Sequence, residues 1–146
     1  MPVIYHAWSS MPAQSVRLAL RYKGVPHKAV PLADDHDALF FELGLAIGPL
    51  LLTLDDQRVC TDAKAALEGL DGWLGGRPIF DGLVKLEAWD ALHAWLGRSA
   101  PLLARLTAAV LPAFADVGAR AETLARVKAE VEQRFGMSIE ALSNDR

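Results

Sequence analysis

Two adjacent serines, Ser9 and Ser10, lie at the start of an amphipathic helix pattern. They are the first residues in this sequence whose type and position suggest a catalytic or binding role. Apolar residues recur at helical spacing from Ser15 onward, and Gly24 and Pro26 end the pattern. One serine is enough to cap a helix. The second is either a further turn residue or a hydroxyl donor beside a helix N-terminus, where negative charge is favoured.

Other polar residues indicate structural roles. The run from Asp34 to Asp37 reads DDHD, but four adjacent residues at a helix start cannot all face one metal ion, so we interpret them as solvated caps. Asp90 and His93 have the spacing of a polar pair on one helix face. Cys60 is the only cysteine, which excludes an internal disulfide, and we expect an inert thiol. We therefore predict no metal site.

Length and composition favour a folded protein that uses neither nucleic acid nor membrane as a partner. The 146 residues are 52% hydrophobic with a net charge of −3, which allows a sizeable core and disfavours disorder or a polyanionic partner. The longest apolar runs, such as Leu50 to Leu52, are far shorter than a membrane span. The first four residues lack a signal-peptide pattern. We expect a soluble cytoplasmic protein.

The elements that must hold the serines alternate between strand and helix. A short strand is predicted between Pro2 and Trp8, and a second in the run HKAVPL after the first helix, which implies a parallel pair. A short helix ending at Gly44 follows, and then a hairpin turning at Asp55-Asp56. Thr61 or Asp62 is expected to cap a third helix, through Leu70.

The run DGWLGGRP contains glycines and a proline typical of a boundary, so we predict one domain over 1–76 and an all-α domain over 77–146. Helical spacing in the second domain predicts three helices, over Asp81–Leu96, Ser99–Leu111 and Ala119–Phe135. Pro101 is expected in the first turn of the second helix, because proline is tolerated there. Gly136 is expected to end the third.

This order of elements, βαβ-α-ββ-α followed by helices, is that of an α/β thioredoxin-like domain joined to a small all-α domain, and the sequence resembles the cytosolic glutathione S-transferase family. The run SSMPAQSVRLALRYKGVP is similar to the family's first helix, S-P-x-[S/A]-x-x-V-R-x-A-L…K-G-[IV]-P. GPLLLTLDDQRVCTDAKAALEGLDGWLGG resembles its V-P-x-L…[E/D]-S-x-A-I segment, and RPIFDGLVKLEAWDALHAWL the opening of its second domain. The helical tail is shorter than is usual for the family.

The resemblance implies a detoxification enzyme that binds glutathione as co-substrate, without a metal, and attaches it to a small apolar electrophile. It assigns the donor to the glutathione sulfur to Ser10, with Ser9 next and Tyr5 as an alternative. Among the remaining site residues, it implies that Pro49 follows a cis bond and exposes the backbone of Gly48 to glutathione, that Asp62 and the N–H of Ala63 hold the γ-glutamyl end, and that Trp8 lines the electrophile pocket. Taken alone, the two serines and Asp62 also suit helix caps, and Pro49 suits a strand start.

Three departures from the family pattern support a second hypothesis about the function. Leu43-Gly44 replaces the family's Asn-Pro, Gly48 replaces a valine, and Ala63 replaces a serine. These changes motivate the alternative of a non-catalytic thioredoxin-fold binding or scaffold protein. A disulfide reductase is disfavoured because no cysteine stands at the start of the first helix.

We also expect a homodimer, since wide apolar faces on the tail need a cover and the resemblance implies subunit contacts there. Those faces comprise Leu83, Leu86, Trp89 and Leu92 on one predicted helix and Leu102, Leu103, Leu106, Val110 and Leu111 on the next.

Overall fold

The structure is a computed structural model of the chain, and it describes residues 1–32, 36–80 and 85–144. The chain forms two compact units, Met1–Val84 and Lys85–Arg146. The domain boundary placed after residue 76 stays a prediction. In the described part of the chain, no helix is long and apolar enough to cross a membrane.

The first unit is built on a four-stranded mixed sheet with the order β2-β1-β3-β4. β1 pairs with β2 in parallel and with β3 antiparallel, and β3 pairs with β4 antiparallel. The elements are β1 (Val3–His6), α1 (Met11–Lys23), β2 (Lys28–Pro31), α2 (Asp37–Glu42), β3 (Leu50–Thr53), β4 (Val59–Cys60) and α3 (Ala63–Trp73). This confirms the predicted thioredoxin-like βαβ-α-ββ-α order, including the hairpin.

Burial explains why these segments form a sheet covered by helices. Leu50, Leu51 and Leu52 are all buried, as expected for a central strand covered on both faces. On β1, by contrast, the buried residues alternate, and Ile4 and His6 share the buried face. α1 supplies Val16, Leu20 and further small residues to the same core, and α3 packs beside it.

A buried ion pair joins the end of α1 to the last turn of α3. Lys23 Nζ donates to Asp71 Oδ1 at 2.6 Å and to the carbonyl of Arg77 at 3.1 Å. Asp71 also accepts from the backbone N–H groups of Ile79 and Phe80, at 2.8 to 2.9 Å. A buried ammonium requires such partners. The carboxylate therefore fixes both α1 and the chain leaving α3.

The second unit contains α4 (Leu86–Ala108), a short 3₁₀ turn (Leu111–Ala113), α5 (Ala115–Gly118), α6 (Ala121–Phe135) and α7 (Ile139–Asn144). α7 packs on α4 and α6, and its Ile139 and Leu142 join Ala108 and Val131 in a small core. α6 ends at Gly136, whose φ is 67°, as the sequence predicts.

The prediction of two separate helices meeting near Ser99 is wrong, because α4 runs without a break through Pro101. Proline in a helix interior removes one hydrogen bond, here to the carbonyl of Gly97. Both residues are exposed, so water can reach that carbonyl. The loss is therefore tolerated within a helix of 23 residues.

Several predicted features lie outside the described residues. They are the caps at Asp34 and Asp35, the helix start at Asp81, Leu83, and the side chain of Leu86.

Candidate functional site

Three segments that carry candidate residues meet at one edge of the sheet. β1 and β4 run in the same direction, so both end at this edge, while β3 begins there. The register pairs His6 with Leu50 and Leu52 with Cys60. The serines that follow β1, the Gly48-Pro49 pair that precedes β3, and Asp62 after β4 therefore lie at the same edge.

Ser10 is the N-cap of α1. It has an extended backbone, φ −93° and ψ 109°, and its Oγ accepts from the N–H of Ala13 at 3.3 Å. Its own N–H donates to the carbonyl of Ala7 at 3.3 Å. Because the hydroxyl accepts in the cap, its O–H remains a donor for another group. One side chain can thus cap the helix and donate outward.

Ser9 and Trp8 form the turn between β1 and α1. Ser9 is half-buried, and the Trp8 side chain is exposed enough to line a ligand surface. Tyr5, by contrast, alternates with the buried residues of β1, and its ring lies 5.7 Å from that of His36 at the start of α2. Since His6 on the other face of β1 contacts α1, Tyr5 is directed away from the two serines.

The peptide bond before Pro49 is trans, since the described residues contain no cis peptide bond. The cis bond implied by the resemblance is therefore wrong. Trans is the lower-energy isomer by roughly 0.5–1 kcal/mol. The Pro49 carbonyl extends the strand pairing by accepting from Ala7 at 2.8 Å, and Gly48 beside it is half-buried.

Asp62 is the N-cap of α3, as the sequence predicts. Its Oδ1 accepts from the N–H of Ala65 at 2.7 Å, and its backbone is extended, with φ −97°. Ala63 is the first residue of the helix, so its N–H has no partner within the helix. An exposed cap and first-turn N–H groups together suit a ligand that carries both an ammonium and a carboxylate.

This edge carries charge of both signs, the partial positive charge of two helix N-termini and the carboxylate of Asp62. α1 and α3 both begin here, and neither carries an acidic residue in its first turn. The partial positive charge at the start of α1 therefore has no acidic residue in the first turn beside it, whereas the carboxylate of Asp62 offsets the one at the start of α3. Cys60 lies nearby, but burial raises the pKa of its thiol, and its Sγ donates to the carbonyl of Asp62 at 3.2 Å. It is a poor nucleophile at neutral pH.

Sequence reasoning missed a polar cluster behind the serine turn. Gln14 of α1 donates through Nε2 to the carbonyl of Ala7 at 2.9 Å and lies 3.2 Å from Nδ1 of His6. Arg17 donates to Gln14 Oε1 at 3.0 Å, and its guanidinium lies 4.3 Å from the centre of the Trp8 ring. A polar residue on the buried face of β1 was the signal, because buried polar groups need partners.

Among residues 1–32, 36–80 and 85–144, no group of three or more His, Cys, Asp or Glu side chains is arranged to hold a metal ion.

Comparison with known proteins reveals a shared fold. No family model and no curated protein sequence matches the chain. The structure of glutaredoxin 2 from Salmonella typhimurium in complex with glutathione superposes with a TM-score of 0.72 at 17% identity, covering 99% of this chain and 65% of that one.

Two fungal structures give similar values. A glutathione S-transferase of Ceriporiopsis subvermispora in complex with glutathione has a TM-score of 0.72 at 16% identity, over 97% of this chain and 65% of that one. A glutathione transferase of Phanerochaete chrysosporium has a TM-score of 0.69 at 20% identity, over 95% and 63%. The chain thus has the fold of these proteins and spans just under two thirds of their length.

Proposed function

We propose that this protein binds glutathione at the edge formed by the starts of α1 and α3, and conjugates it to a small electrophile. The glutathione sulfur would lie at the start of α1, with Ser10 as its donor and Ser9 as the neighbouring hydroxyl. The thiolate sulfur forms a bond to carbon with its own electron pair, a leaving group departs with the pair it held, and the thiol proton passes to solvent. The exposed ring of Trp8 would contact the apolar part of the electrophile.

The energies required match what the start of α1 can supply. A free thiol has a pKa of about 8.5, and lowering it by about two units requires about 2.7 kcal/mol of preferential thiolate stabilisation. A hydroxyl donating to a charged sulfur contributes roughly 1.5–3 kcal/mol, and a helix N-terminus adds about 0.3–1 kcal/mol. Together they reach the required value without a metal.

The rest of glutathione would follow the sheet edge towards α3. The backbone of Gly48 would pair with the cysteinyl part, since glycine leaves that backbone accessible. Asp62 would take the γ-glutamyl ammonium, and the N–H groups that begin with Ala63 would take its carboxylate. The absence of a hydroxyl at Ala63 weakens binding by roughly 0.5–1.5 kcal/mol.

The observation that carries this proposal is the convergence of two helix N-termini and the Gly48-Pro49 segment at one edge. Its test is calorimetry with millimolar glutathione, together with the ultraviolet absorbance of the bound thiolate as a function of pH. Ser10→Asp is the informative variant, because aspartate caps a helix as well as serine does but repels a thiolate.

We expect Ser10→Asp to keep its thermal stability and lose the thiolate signal. Ser15→Ala is the matched control, since the Ser15 hydroxyl lies on the same helix and donates to the Pro12 carbonyl at 2.7 Å. No binding heat in the unmodified protein would contradict the proposal. A normal thiolate in Ser10→Asp would contradict the role of Ser10.

A second candidate is a non-catalytic binding or scaffold protein with the same fold. Ala63 favours it, because a hydroxyl is missing from the γ-glutamyl subsite. Under this alternative, glutathione binds without a lowered thiol pKa, or not at all. The absorbance titration separates the two.

We further propose that the chain forms a homodimer through α4. This helix exposes large apolar side chains along one side, with 45–67% of their surface accessible. The exposed residues are Leu92, Trp95, Leu102 and Leu106, followed just after the helix by Val110. Their spacing forms a stripe, and such a patch is typical of a partner surface.

A further inference from the structure

The geometry points to Gln14 as the positioning residue of the serine turn: its carboxamide links His6, Ala7 and Arg17 behind Ser9 and Ser10. This inference rests on the proposed function for its catalytic consequence. The structural part, that Gln14 holds the turn in place, stands independently of any ligand.

Gln14 donates hydrogen bonds to the residues at both ends of the serine turn. Its side-chain Nε2 donates to the carbonyl of Ala7, where the turn begins, at 2.9 Å. Its backbone N–H makes the first helical hydrogen bond of α1, to the carbonyl of Ser10 at 3.0 Å, a bond that remains in any variant at this position. The turn residues Trp8 and Ser9 thus lie between two carbonyls bound by one residue.

The orientation of the Gln14 carboxamide is determined by its neighbours. A carbonyl such as that of Ala7 only accepts, and a guanidinium such as that of Arg17 only donates, so nitrogen must face Ala7 and oxygen must face Arg17. The remaining N–H of Gln14 points to Nδ1 of His6, 3.2 Å away. Nδ1 must therefore accept this hydrogen bond.

Trp8 is held by the same cluster. The guanidinium of Arg17 lies 4.3 Å from the Trp8 ring centre, and the His6 ring meets the Trp8 ring edge-on at 4.7 Å between centroids. Both contacts involve residues that Gln14 also binds. Loss of Gln14 therefore releases the Trp8 ring together with the backbone of the serine turn.

The consequence for the reaction is positional. Gln14 does not touch the sulfur in this arrangement, but it determines where the Ser10 hydroxyl lies relative to it. Misplacing a catalytic group by about 1 Å lowers rates by up to about a hundredfold. We therefore expect Gln14→Met, which keeps length and helix propensity, to lower kcat about tenfold to a hundredfold. KM should change less, because the start of α3 remains intact.

The first readout needs no glutathione. Amide hydrogen exchange of the Ser10 N–H, which bonds the Ala7 carbonyl, reports the order of the turn. We expect Gln14→Met to speed this exchange at least about tenfold, while the amide of Leu20 deep in α1 is unchanged. Ser15→Ala, on the same turn of α1, should alter neither rate.

A second variant tests the same role of Gln14 in case Gln14→Met does not fold. Arg17→Met removes the oxygen-side contact and the stacking on Trp8 but leaves both donor bonds of Gln14. Arg17→Met should also speed amide exchange of the Ser10 N–H, but by less than Gln14→Met does. If Ser10 exchange in both variants matches the unmodified protein, the inference is overturned. If exchange speeds up but the unmodified protein binds no glutathione, the positioning role stands and the proposed function fails.

Discussion

Replacing Asp71 with asparagine should destabilise the first unit by about 3 kcal/mol. Lys23 is the reason, because its side chain is only 1% exposed and its ammonium would keep the Arg77 carbonyl but lose its counter-charge. Removing one partner of a buried pair costs about 3–5 kcal/mol, and the 24% exposure of the Asp71 side chain places the value near the lower end. Asparagine also has one acceptor oxygen where the carboxylate has two.

Urea unfolding followed by circular dichroism at pH 7 measures this change. With a slope of about 1–3 kcal/mol per molar urea, a loss of 3 kcal/mol lowers the midpoint of the first unit by about 1–3 M. Glu68→Gln is the matched control on the same helix, because its pair with Lys64 is exposed. That variant should lose less than about 1 kcal/mol.

The stabilisation that Asp71 provides depends on pH, because only its ionised form pairs with Lys23. Burial opposes ionisation of Asp71, but hydrogen bonds from Lys23, Phe80 and Ile79, with the Lys23 charge, lower its pKa below the usual range. Its contribution to stability is therefore complete above the unfolded-state pKa of about 3.9 and is lost as the pH falls through the folded-state value. The difference between the unmodified protein and Asp71→Asn should vanish in acid. A difference that is constant from neutral to strongly acidic pH, or no larger than that of the control, would refute this reasoning.

Three further predictions concern the proposed site and the proposed dimer. Ser9→Ala should leave the thiolate titration of bound glutathione close to that of the unmodified protein, and a larger loss than in Ser10→Asp would move the donor role to Ser9. Ala63→Ser should tighten glutathione binding by roughly 0.5–1.5 kcal/mol, and unchanged calorimetric affinity would mean that the ligand does not reach α3. Light scattering at micromolar concentration should give twice 15.8 kDa, whereas Leu106→Glu should give a single chain; one chain mass for the unmodified protein would rule out the dimer.

Most of the first unit could be predicted from local signals. Alternating or continuous apolar runs bounded by turn residues indicate the strands, and Gly24, with φ 71°, ends α1 as its position in the sequence suggests. The caps at Ser10 and Asp62 follow from side chains that accept backbone hydrogen bonds. These features depend on residues close in the chain, so sequence alone is sufficient for them.

The second unit was harder to predict because its boundaries depend on context. The sequence predicts a break between Leu96 and Ser99, with Pro101 in the first turn of a new helix, but the lost hydrogen bond leaves an exposed carbonyl and α4 continues. α7 is only six residues long, too short for helical periodicity to be evident, and it is stabilised by burial of Ile139 and Leu142. Tertiary packing outweighs local preference in both places.

The candidate site also combines features that follow from local sequence with features that depend on tertiary packing. Its convergence at one edge depends on the antiparallel pairing of β1 with β3, which joins the predicted parallel pair to the predicted hairpin. The cluster of His6, Gln14 and Arg17 joins a strand to a helix, so its partners could not be paired before their relative positions were known. The isomer before Pro49 likewise depends on surroundings, because the intrinsic preference is only about 0.5–1 kcal/mol.

The most direct test of the central claim is a titration of the ¹⁵N-labelled protein with millimolar glutathione, followed by amide NMR shifts. The account predicts that the largest shifts occur together at Ser10, Gly48 and Ala63, the three positions that the fold brings to one edge of the sheet. Shifts confined to other surfaces, or no shifts at saturating glutathione, would contradict it.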